Sequence, residues 1–362
     1  MISAFSAFDH AMMRRALALA QKGLYTATPN PRVGCVVIQN EKTVGEGWHE
    51  KAGAAHAEAM ALERAGAQAA GATVYVNLEP CSHQGRTPPC VEALKKARVK
   101  RVVAAMRDPN PQAAGGGAAL EAAGIGFEHG LLEDEARELN IGFVSRMTRG
   151  RPWVRLKVAA TLDGRTALGE GSGANAGTSQ WITGAEARRD GHRWRARACA
   201  ILTGVGTVRA DDPRLTVREV ATPRQPLRVI VDSRLETSPS ARILEGDKVL
   251  VFAAASGTLP NAEVVALPNR NHKVELPRML EELARRGVNE LHVEAGFRLN
   301  GSLVREGCID EYLIYLNPSL LGDAAQGMFD LPALEALDKR PRLRILSLER
   351  FGDDLRILAR PA

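Results

Sequence analysis

Two short segments constrain what this chain can fold into more than any other part of its sequence. The first is Ala55-His56-Ala57-Glu58, and the second runs from Glu79-Pro80-Cys81 to Cys90. Together they supply one imidazole and two thiols, the nitrogen and sulfur ligands that zinc prefers. Three protein ligands suffice for a catalytic zinc ion, because the fourth tetrahedral position is left for water. A fold that uses this chemistry has to bring His56, Cys81 and Cys90 to one point.

The length and composition predict a two-domain globular protein of the cytoplasm. A chain of 362 residues exceeds what one hydrophobic core usually serves. No apolar run is long enough to span a bilayer, and residues 1–10 lack a secretory signal, so we expect no membrane association. Five cysteines are too few for a disulfide scaffold, and their odd number suits a reducing compartment.

The charge distribution favours a small phosphorylated ligand over a nucleic acid. Residues 1–147 carry 16 Lys and Arg against 15 Asp and Glu, so most of the net charge of +6 lies in the second half. This excess is too diffuse to demand nucleic acid. Aromatic residues make up only 4% of the chain, which argues against a surface that stacks single-stranded bases.

Strand and helix patterns alternate in both halves and predict two layered α/β domains. The segment Arg149-Gly150-Arg151-Pro152 is the best candidate linker. We therefore place a first domain over residues 1–148 and a second over residues 149–362. No internal repeat relates the two.

In the first domain, two helix N-termini are expected to converge at the candidate metal site. His56 lies at a helix start, Cys81 follows a strand and Cys90 begins the next helix. Helix N-termini favour thiolates. Glu58 is badly placed to be a fourth ligand, and we expect it to carry a proton from the attacking water to a ring nitrogen and the departing ammonia.

A His-x-Glu segment followed by Pro-Cys and a second Cys is typical of zinc-dependent nucleoside and nucleobase deaminases. The alternative is a purely structural zinc site, which would need a fourth ligand such as His83 or His49. The general signature separates its cysteines by two residues, whereas eight residues lie between Cys81 and Cys90.

The segment with this longer spacing between the cysteines resembles one particular family. The segment Glu79-Pro80-Cys81-Ser82-His83-Gln84-Gly85-Arg86-Thr87-Pro88-Pro89-Cys90 resembles the bifunctional riboflavin-biosynthesis deaminase/reductase family, as do Thr28-Pro29-Asn30-Pro31 and Asp108-Pro109-Asn110-Pro111. The resemblance implies a cytidine-deaminase-like three-layer αβα domain that binds one Zn²⁺ per chain. The implied substrate is a diaminopyrimidinone that carries a phosphoribosylamino group and loses one exocyclic amine.

Four residues of the first domain are candidate substrate contacts. Asn30 and His49 match family residues that contact the substrate, and His83 and Arg86 lie in the motif loop. An arginine can hold a phosphate through two parallel hydrogen bonds, and an asparagine can pair with a ring edge. Outside this motif, each would more often be a surface or turn residue.

The second half resembles the reductase half of the same family, so the resemblance covers nearly the whole chain. It implies a dihydrofolate-reductase-like α/β domain that uses NADPH. No Gly-x-Gly-x-x-Gly follows a strand, so a Rossmann site has no support. The segments that carry the resemblance are 156–165, 178–183, 210–218 and Val293-Glu294-Ala295-Gly296.

Several residues of the second half match the family's ligand positions. Without the resemblance, the Arg-rich segment 185–198 would be interpreted as a solvated helix face. Trp181 would be a core residue. Segment 294–296 would be an ordinary turn between a strand and a helix from about Asn300. Matches to substrate positions are Ser179, Arg195, Leu215, Arg218 and Glu294. Matches to cofactor positions are Ala159, Trp181, Thr207, Asp211, Ser233, Gly296, Phe297, Arg298, Leu299, Asn300, Gly301 and Ser302.

The sequence leaves the proton carrier of the reduction open between Lys157 and Asp211. The expected function is zinc-dependent deamination followed by NADPH-dependent reduction of the ribosyl side chain, giving an aminouracil that carries a phosphoribitylamino group. One alternative is a zinc deaminase of another nucleoside or an RNA base, with a C-terminal binding module. Another is a nonenzymatic, zinc-stabilised interaction protein. We also expect a homo-oligomer, a dimer or tetramer.

Overall fold

The computed structural model describes residues 5–84, 88–169, 181–247 and 249–362. The chain divides into two compact units at the Gly150–Arg151 bond. Each unit is a sheet covered by helices, so the prediction of two α/β domains is confirmed. None of the described helices has both the length and the apolar character needed to cross a bilayer.

The first unit is built on a mixed sheet of five strands in the order β2-β1-β3-β4-β5. Strands β1 and β2 are antiparallel, as are β1 and β3, whereas β3, β4 and β5 run parallel. The strands are β1 Gly34–Gln39, β2 Lys42–Trp48, β3 Thr73–Leu78, β4 Arg101–Met106 and β5 Gly126–His129. The helices are α1 Ala7–Gln21, α2 Ala57–Ala65, α3 Cys90–Lys96, α4 Gly116–Ala122, α5 Glu133–Leu139 and α6 Ile141–Arg149.

Alternation along the strands of this sheet fills two separate cores. In β1, Cys35 and Val37 pack with α2, α3 and α4 on one face, while Val36 and Ile38 pack with α1, α5 and α6 on the other. Successive side chains of a strand point to opposite faces, so a strand buried on both sides reads as a continuous apolar run. The result is the expected three-layer αβα arrangement.

The second unit contains a nine-stranded sheet in the order β11-β10-β9-β8-β12-β6-β13-β16-β15 and a small sheet of β7 and β14. Neighbouring strands from β11 to β13 run parallel, and β16 pairs antiparallel with both β13 and β15. The strands are β6 Trp153–Thr161, β7 Arg165–Ala167, β8 Ala200–Gly204, β9 Leu227–Val231, β10 Val249–Ala253, β11 Ala262–Ala266, β12 Glu290–Val293, β13 Glu311–Asn317, β14 Gln326–Gly327, β15 Leu343–Phe351 and β16 Asp354–Pro361.

Helices cover both faces of this larger sheet. Leu283 of α9 and Leu303 of α10 belong to one core, Val208 of α8 to a second, and Ala187 of α7 packs with Leu313 and Tyr315 of β13. The helices are α7 Ala185–Arg197, α8 Val205–Asp211, α9 Leu276–Arg285 and α10 Phe297–Arg305. In open α/β sheets, ligands bind beyond the carboxyl ends of the parallel strands.

One predicted boundary is wrong in this unit. The sequence suggested a helix from about Asn300, but α10 begins at Phe297 with Gly296 as its N-cap. The buried positions of α10 include Asn300, Gly301 and Leu303, which have the spacing of one helical face. The segment 297–302 is therefore helix rather than an open loop.

Candidate active sites

The three predicted metal ligands meet at one point in the first unit. His56 is the N-cap of α2, and Cys90 is the first residue of α3. The ligand atoms of His56, Cys81 and Cys90 all lie within 4.8 Å of one another. The His56 Nδ1 atom is 3.2 Å from the Cys90 Sγ atom and 3.7 Å from the Cys81 Sγ atom.

These distances fit a tetrahedral zinc ion. With Zn–N and Zn–S bonds of about 2.0–2.1 and 2.3 Å, a nitrogen and a sulfur ligand at the tetrahedral angle lie roughly 3.6 Å apart. The two observed separations lie on either side of that value. A hydrogen bond from the Cys90 side chain, with further help from His56, lowers the pKa of Cys81 to about 4. The Cys81 sulfur therefore favours the thiolate form that binds metal.

Glu58 lies beside these ligands without being one of them. It is the second residue of α2 and is buried, and burial raises the pKa of its carboxyl group. Its carboxylate is not part of the group of three potential ligands. A raised pKa makes a carboxyl group a better proton acceptor than an ordinary one, which suits a general acid and base.

Hydrogen bonds determine the tautomer of His49, a predicted substrate residue. Its Nδ1 atom lies 3.0 Å from the carbonyl oxygen of Ala55, so Nδ1 carries the proton and donates it. Its Nε2 atom therefore accepts, and the Asn30 side-chain Nδ2 donates to it over 3.0 Å. Burial lowers the pKa of His49, which keeps the ring neutral. The side-chain oxygen of Asn30 is left as an acceptor.

The loop between the two cysteines is only partly described. His83 is exposed, and Arg86 lies outside the described residues. Neither His83 nor His49 belongs to the group of three potential ligands. Both nitrogens of His49 are also engaged with Ala55 and Asn30. A structural site with four protein ligands thus finds no fourth ligand among the residues that the structure describes.

In the second unit, three predicted residues lie around or near the carboxylate of a fourth, Glu294. Glu294 follows β12, and its two oxygens accept from Nε and Nη2 of Arg195, the latter at 2.8 Å. Lys157 Nζ lies 4.0 Å from Glu294 Oε2. Arg195 Nη1 donates to the Thr216 carbonyl and Arg218 Nη1 to the Thr216 hydroxyl.

The electrostatics of this group leave a net positive site. Burial alone would raise the pKa of Glu294, but the charge and hydrogen bonds of Arg195 hold it well below its ordinary value. Burial lowers the pKa of Lys157, and the nearby Glu294 opposes that shift. The three basic side chains of Lys157, Arg195 and Arg218 outnumber Glu294 and the nearby Glu219, whose charge acts on both arginines, and this excess suits a phosphorylated ligand.

The predicted cofactor residues follow the carboxyl ends of neighbouring strands. Thr207 lies in the first turn of α8 after β8, and a Cβ atom built on Gly296 would be 3.4 Å from its hydroxyl oxygen. Ser233 follows β9, and its hydroxyl accepts from the Val274 N–H over 3.2 Å. Ala159 lies two residues after Lys157 on β6 and so on the same face of the sheet.

Other predicted residues are less closely connected to this group. Asp211 is an exposed residue at the end of α8, and among the described residues no contact joins it to Lys157 or Glu294. Trp181 is 75% exposed rather than a core residue, and its ring lies 4.2 Å from the Arg188 guanidinium carbon. Leu215 is buried in an apolar cluster. Ser179 lies outside the described residues.

The buried side of α10 packs within the protein. The Asn300 side chain donates to the Met328 carbonyl over 3.3 Å, and a Cβ atom on Gly301 would come within 2.2 Å of the Asp330 carbonyl oxygen. Leu299 packs at the edge of the main core, and the Ser302 hydroxyl donates to the Arg298 carbonyl. These contacts leave Gly296 and Phe297, at the N-terminal end of the helix, as the part of the predicted cofactor segment nearest Thr207.

Two residues that contact Glu294, His292 and Thr203, were not predicted from the sequence. The His292 Nε2 atom is 3.3 Å from Glu294 Oε1, and the Thr203 hydroxyl donates to the Glu294 carbonyl over 2.8 Å. Both residues are fully buried in strands. A histidine and a threonine inside otherwise apolar strands were the available signal, since buried polar groups usually have a partner.

Comparison with known proteins identifies both units. Residues 6–106 match the family described as the cytidine and deoxycytidylate deaminase zinc-binding region, and residues 152–357 match the RibD C-terminal domain. The riboflavin biosynthesis protein RibD of Escherichia coli is 44% identical over 96% of this chain and 98% of its own. The protein of the same name from Haemophilus influenzae is 45% identical over 99% of this chain and 98% of its own.

Solved structures agree with these relatives. Acinetobacter baumannii RibD is 42% identical with a TM-score of 0.90, covering 98% of this chain and 99% of that chain. A Thermotoga maritima protein described as a diaminohydroxyphosphoribosylaminopyrimidine deaminase and phosphoribosylaminouracil reductase is 32% identical with a TM-score of 0.88, covering 98% of this chain and 99% of that chain. The chain therefore belongs to the RibD family of riboflavin biosynthesis proteins, whose members join a deaminase domain to a reductase domain.

Proposed function

We propose that this protein catalyses two successive steps of riboflavin biosynthesis. The first unit removes one amine hydrolytically from a diaminopyrimidinone that carries a phosphoribosylamino group. The second reduces the ribosyl side chain of the product with NADPH. The observation that carries this proposal is a three-ligand metal site with a buried, non-ligating Glu58, in a chain whose other half matches the RibD C-terminal domain.

In the proposed deamination, His56, Cys81 and Cys90 hold one zinc ion. Zinc bound there lowers the pKa of a water ligand to around 7 and so supplies a nucleophile at neutral pH. Glu58 takes up one proton of that water and delivers it to the ring nitrogen. It then takes the remaining proton of the added hydroxyl group and delivers it to the leaving amine, so that ammonia departs. The amide of Asn30, oriented by His49, pairs with the edge of the pyrimidinone ring. His83 and Arg86 of the motif loop are further proposed substrate contacts, and the Arg86 guanidinium suits the phosphate.

In the proposed reduction, Arg195, Arg218 and Glu294 hold the substrate together with Ser179 and Leu215. The two arginines suit the ribose phosphate, since guanidinium groups bind phosphate through paired hydrogen bonds. Ala159, Trp181, Thr207, Asp211, Ser233 and the segment 296–302 would hold NADPH, and the N-terminus of the helix in that segment favours a phosphate. The nicotinamide supplies the hydride.

We assign the proton transfer of the reduction to Lys157 rather than to Asp211. Lys157 belongs to the group around Glu294, and burial lowers its pKa toward the range in which an ammonium group can release a proton. Asp211 is exposed at the end of α8, and no described contact joins it to that group. Its position suits the cofactor better than the ribosyl carbon.

We also propose the bounds of the two domains, the compartment and the oligomeric state. The deaminase domain spans residues 1–148 and the reductase domain residues 149–362, in a cytoplasmic homo-oligomer. Support for self-association comes from β15, an edge strand with Leu343, Ile345, Leu346 and Leu348 each 40–59% exposed. Exposed apolar patches commonly mark protein interfaces. A zinc deaminase of another nucleoside or an RNA base with a C-terminal binding module is not favoured, because the RibD relatives match nearly the whole chain.

Cofactor binding tests the reductase half of this proposal. NADPH should raise the melting temperature of the second unit, and NADH, which lacks the ribose phosphate, should raise it less. Thr207→Val should weaken the NADPH effect while leaving the melting temperature without cofactor nearly unchanged. If NADPH produces no shift and no binding heat, the reductase assignment is wrong.

A further inference from the structure

Glu79 is a buried carboxylate that the proposed chemistry does not use. It follows β3, directly before Pro80 and the metal ligand Cys81, and is 4% exposed. Its Oε2 atom accepts from the Asp108 N–H over 3.1 Å, and its Oε1 atom accepts from the Gly117 N–H over 2.8 Å. Each carboxylate oxygen therefore satisfies a different backbone donor, and an ionised carboxylate has no proton to donate itself.

These two hydrogen bonds hold both ends of one segment, residues 108–117. The segment starts just beyond β4 and ends in the first turn of α4, where Gly117 has an N–H without a partner inside the helix. At its first end, the Asp108 Oδ1 atom accepts from the Asn110 N–H over 2.8 Å. Asp108 is partly buried, and the charges of Glu79, Cys81 and His83 act on its carboxyl group.

The same segment lies directly against the loop that carries Cys81. A Cβ atom on Gly116 would be 1.8 Å from the Pro80 carbonyl oxygen, so only glycine permits this approach. The Ser82 hydroxyl donates to the Ala114 carbonyl over 2.9 Å, and the Ser82 N–H donates to the Ala113 carbonyl over 3.3 Å. Residues 108–117 thus form a wall beside the metal site.

We propose that Glu79 is a positioning residue of the deaminase site, which acts by holding the wall formed by residues 108–117 against the metal-ligand loop. This inference rests on the proposed deaminase function. Among the described residues, the hydrogen-bond partners of the Glu79 side chain are Asp108 and Gly117 rather than the metal ligands. Its effect on catalysis passes through Asp108 and Gly117, whose backbone it anchors.

The variant Glu79→Gln tests this role. An amide has one acceptor and one donor group, so one of the two backbone N–H groups would face another N–H and lose its hydrogen bond. We expect kcat/KM for ammonia release, normalised to bound zinc, to fall roughly 10- to 100-fold, since small displacements near a site have effects of that size. Zinc content and NADPH binding should not change. Glu121→Gln, at an exposed position of α4, is the matched control and should behave as wild type.

Amide hydrogen exchange provides a readout that does not depend on activity. In Glu79→Gln, the amide of at least one of Asp108 and Gly117 should exchange severalfold faster than in wild type, while those of α2 should not. If Glu79→Gln does not fold, Ser82→Ala removes a different tether of the same wall and should lower kcat/KM per zinc in the same direction by roughly threefold.

The outcomes separate this inference from the proposed function. If the wild-type protein releases no ammonia, the deaminase assignment itself is wrong. If wild type is active and Glu79→Gln only loses zinc or stability, with unchanged kcat and KM per bound zinc, then Glu79 is merely structural and the inference is overturned. Unchanged exchange at Asp108 and Gly117 would overturn it as well.

Discussion

Glu294 and Arg195 form a two-point ion pair in which each side chain is 14% exposed. The carboxylate also has Lys157 at 4.0 Å, so one negative charge serves two cations. Removing the Glu294 carboxylate would leave the Arg195 and Lys157 cations in a poorly solvated site without their shared partner. The pair therefore links the shape of the proposed substrate site to the stability of the second unit.

The variant Glu294→Gln should lose reduction and stability together. Breaking a fully buried ion pair costs about 3–5 kcal/mol, and we expect about 2–3 kcal/mol here because the pair is partly solvated. NADPH oxidation should fall by at least roughly 100-fold, which corresponds to about 2.7 kcal/mol of lost transition-state stabilisation. Urea unfolding and steady-state kinetics measure the two effects. Glu281→Gln, at an exposed position of α9, is the control and should show neither.

The variant Glu58→Gln should abolish deamination while the metal stays bound. An amide cannot carry the proton, and loss of general acid–base catalysis typically costs 10²–10⁴-fold in rate. Zinc content by metal analysis and NADPH oxidation with the deaminated substrate should match wild type. Glu63→Gln, on the exposed side of the same helix, should keep full activity. Normal ammonia release by Glu58→Gln would show that Glu58 is not the proton carrier of the deamination.

Substitution of a metal ligand should release zinc, in contrast to Glu58→Gln. Cys90→Ser removes one of three protein ligands, so zinc should be lost and the first unit should unfold at a lower temperature, because metal binding and folding are coupled. Cys199→Ser, in the second unit, should retain zinc. A Cys90→Ser protein with full zinc content would contradict the ligand set.

The arrangement of the metal site was accessible from sequence for a physical reason. His56 and Cys90 begin helices and Cys81 follows a strand, so the local pattern places all three at element ends, where a parallel βαβ unit brings them together. The limits of the prediction are equally physical. The start of α10 was misplaced because the periodic residues Asn300, Gly301 and Leu303 are only part of a helix whose first turn has no capping side chain.

Long-range contacts explain what the sequence did not reveal. The approach of Lys157 to Glu294 joins residues far apart in the chain, and no local pattern predicts it. Hydrophobicity alone would make Trp181 a core residue, whereas the family resemblance predicts a cofactor contact, and the side chain is exposed and lies over Arg188. The hydrogen bond from Thr203 to the Glu294 carbonyl depends on sheet order, which places β12 beside β8.

The stability of the first unit should depend on pH through Asp9. Burial would raise the pKa of this carboxyl, but hydrogen bonds from Ser6, Arg101 and Tyr75 lower it far below its ordinary value. A carboxyl whose pKa is depressed in the folded state stabilises the fold above its unfolded pKa of about 3.9, and that contribution is lost as the pH falls below it. Wild type should therefore exceed Asp9→Asn in stability by roughly 2 kcal/mol at neutral pH.

Denaturant unfolding over a pH series measures this dependence. The stability difference between wild type and Asp9→Asn should be constant above about pH 5 and should shrink steadily toward pH 3. Asp134→Asn, at an exposed position of α5, should show no comparable trend. A difference that stays constant down to pH 3 would mean that the Asp9 pKa is the same in the folded and unfolded protein.

The order of the two reactions tests the central claim most directly. The zinc-loaded protein is mixed with the diaminopyrimidinone phosphate, with and without NADPH, while ammonia release and NADPH oxidation are followed separately. We predict ammonia release without NADPH, and NADPH oxidation that begins only after a lag in which deaminated product accumulates. NADPH oxidation at full rate without ammonia release, or ammonia release that requires NADPH, would contradict a deamination that precedes an independent reduction.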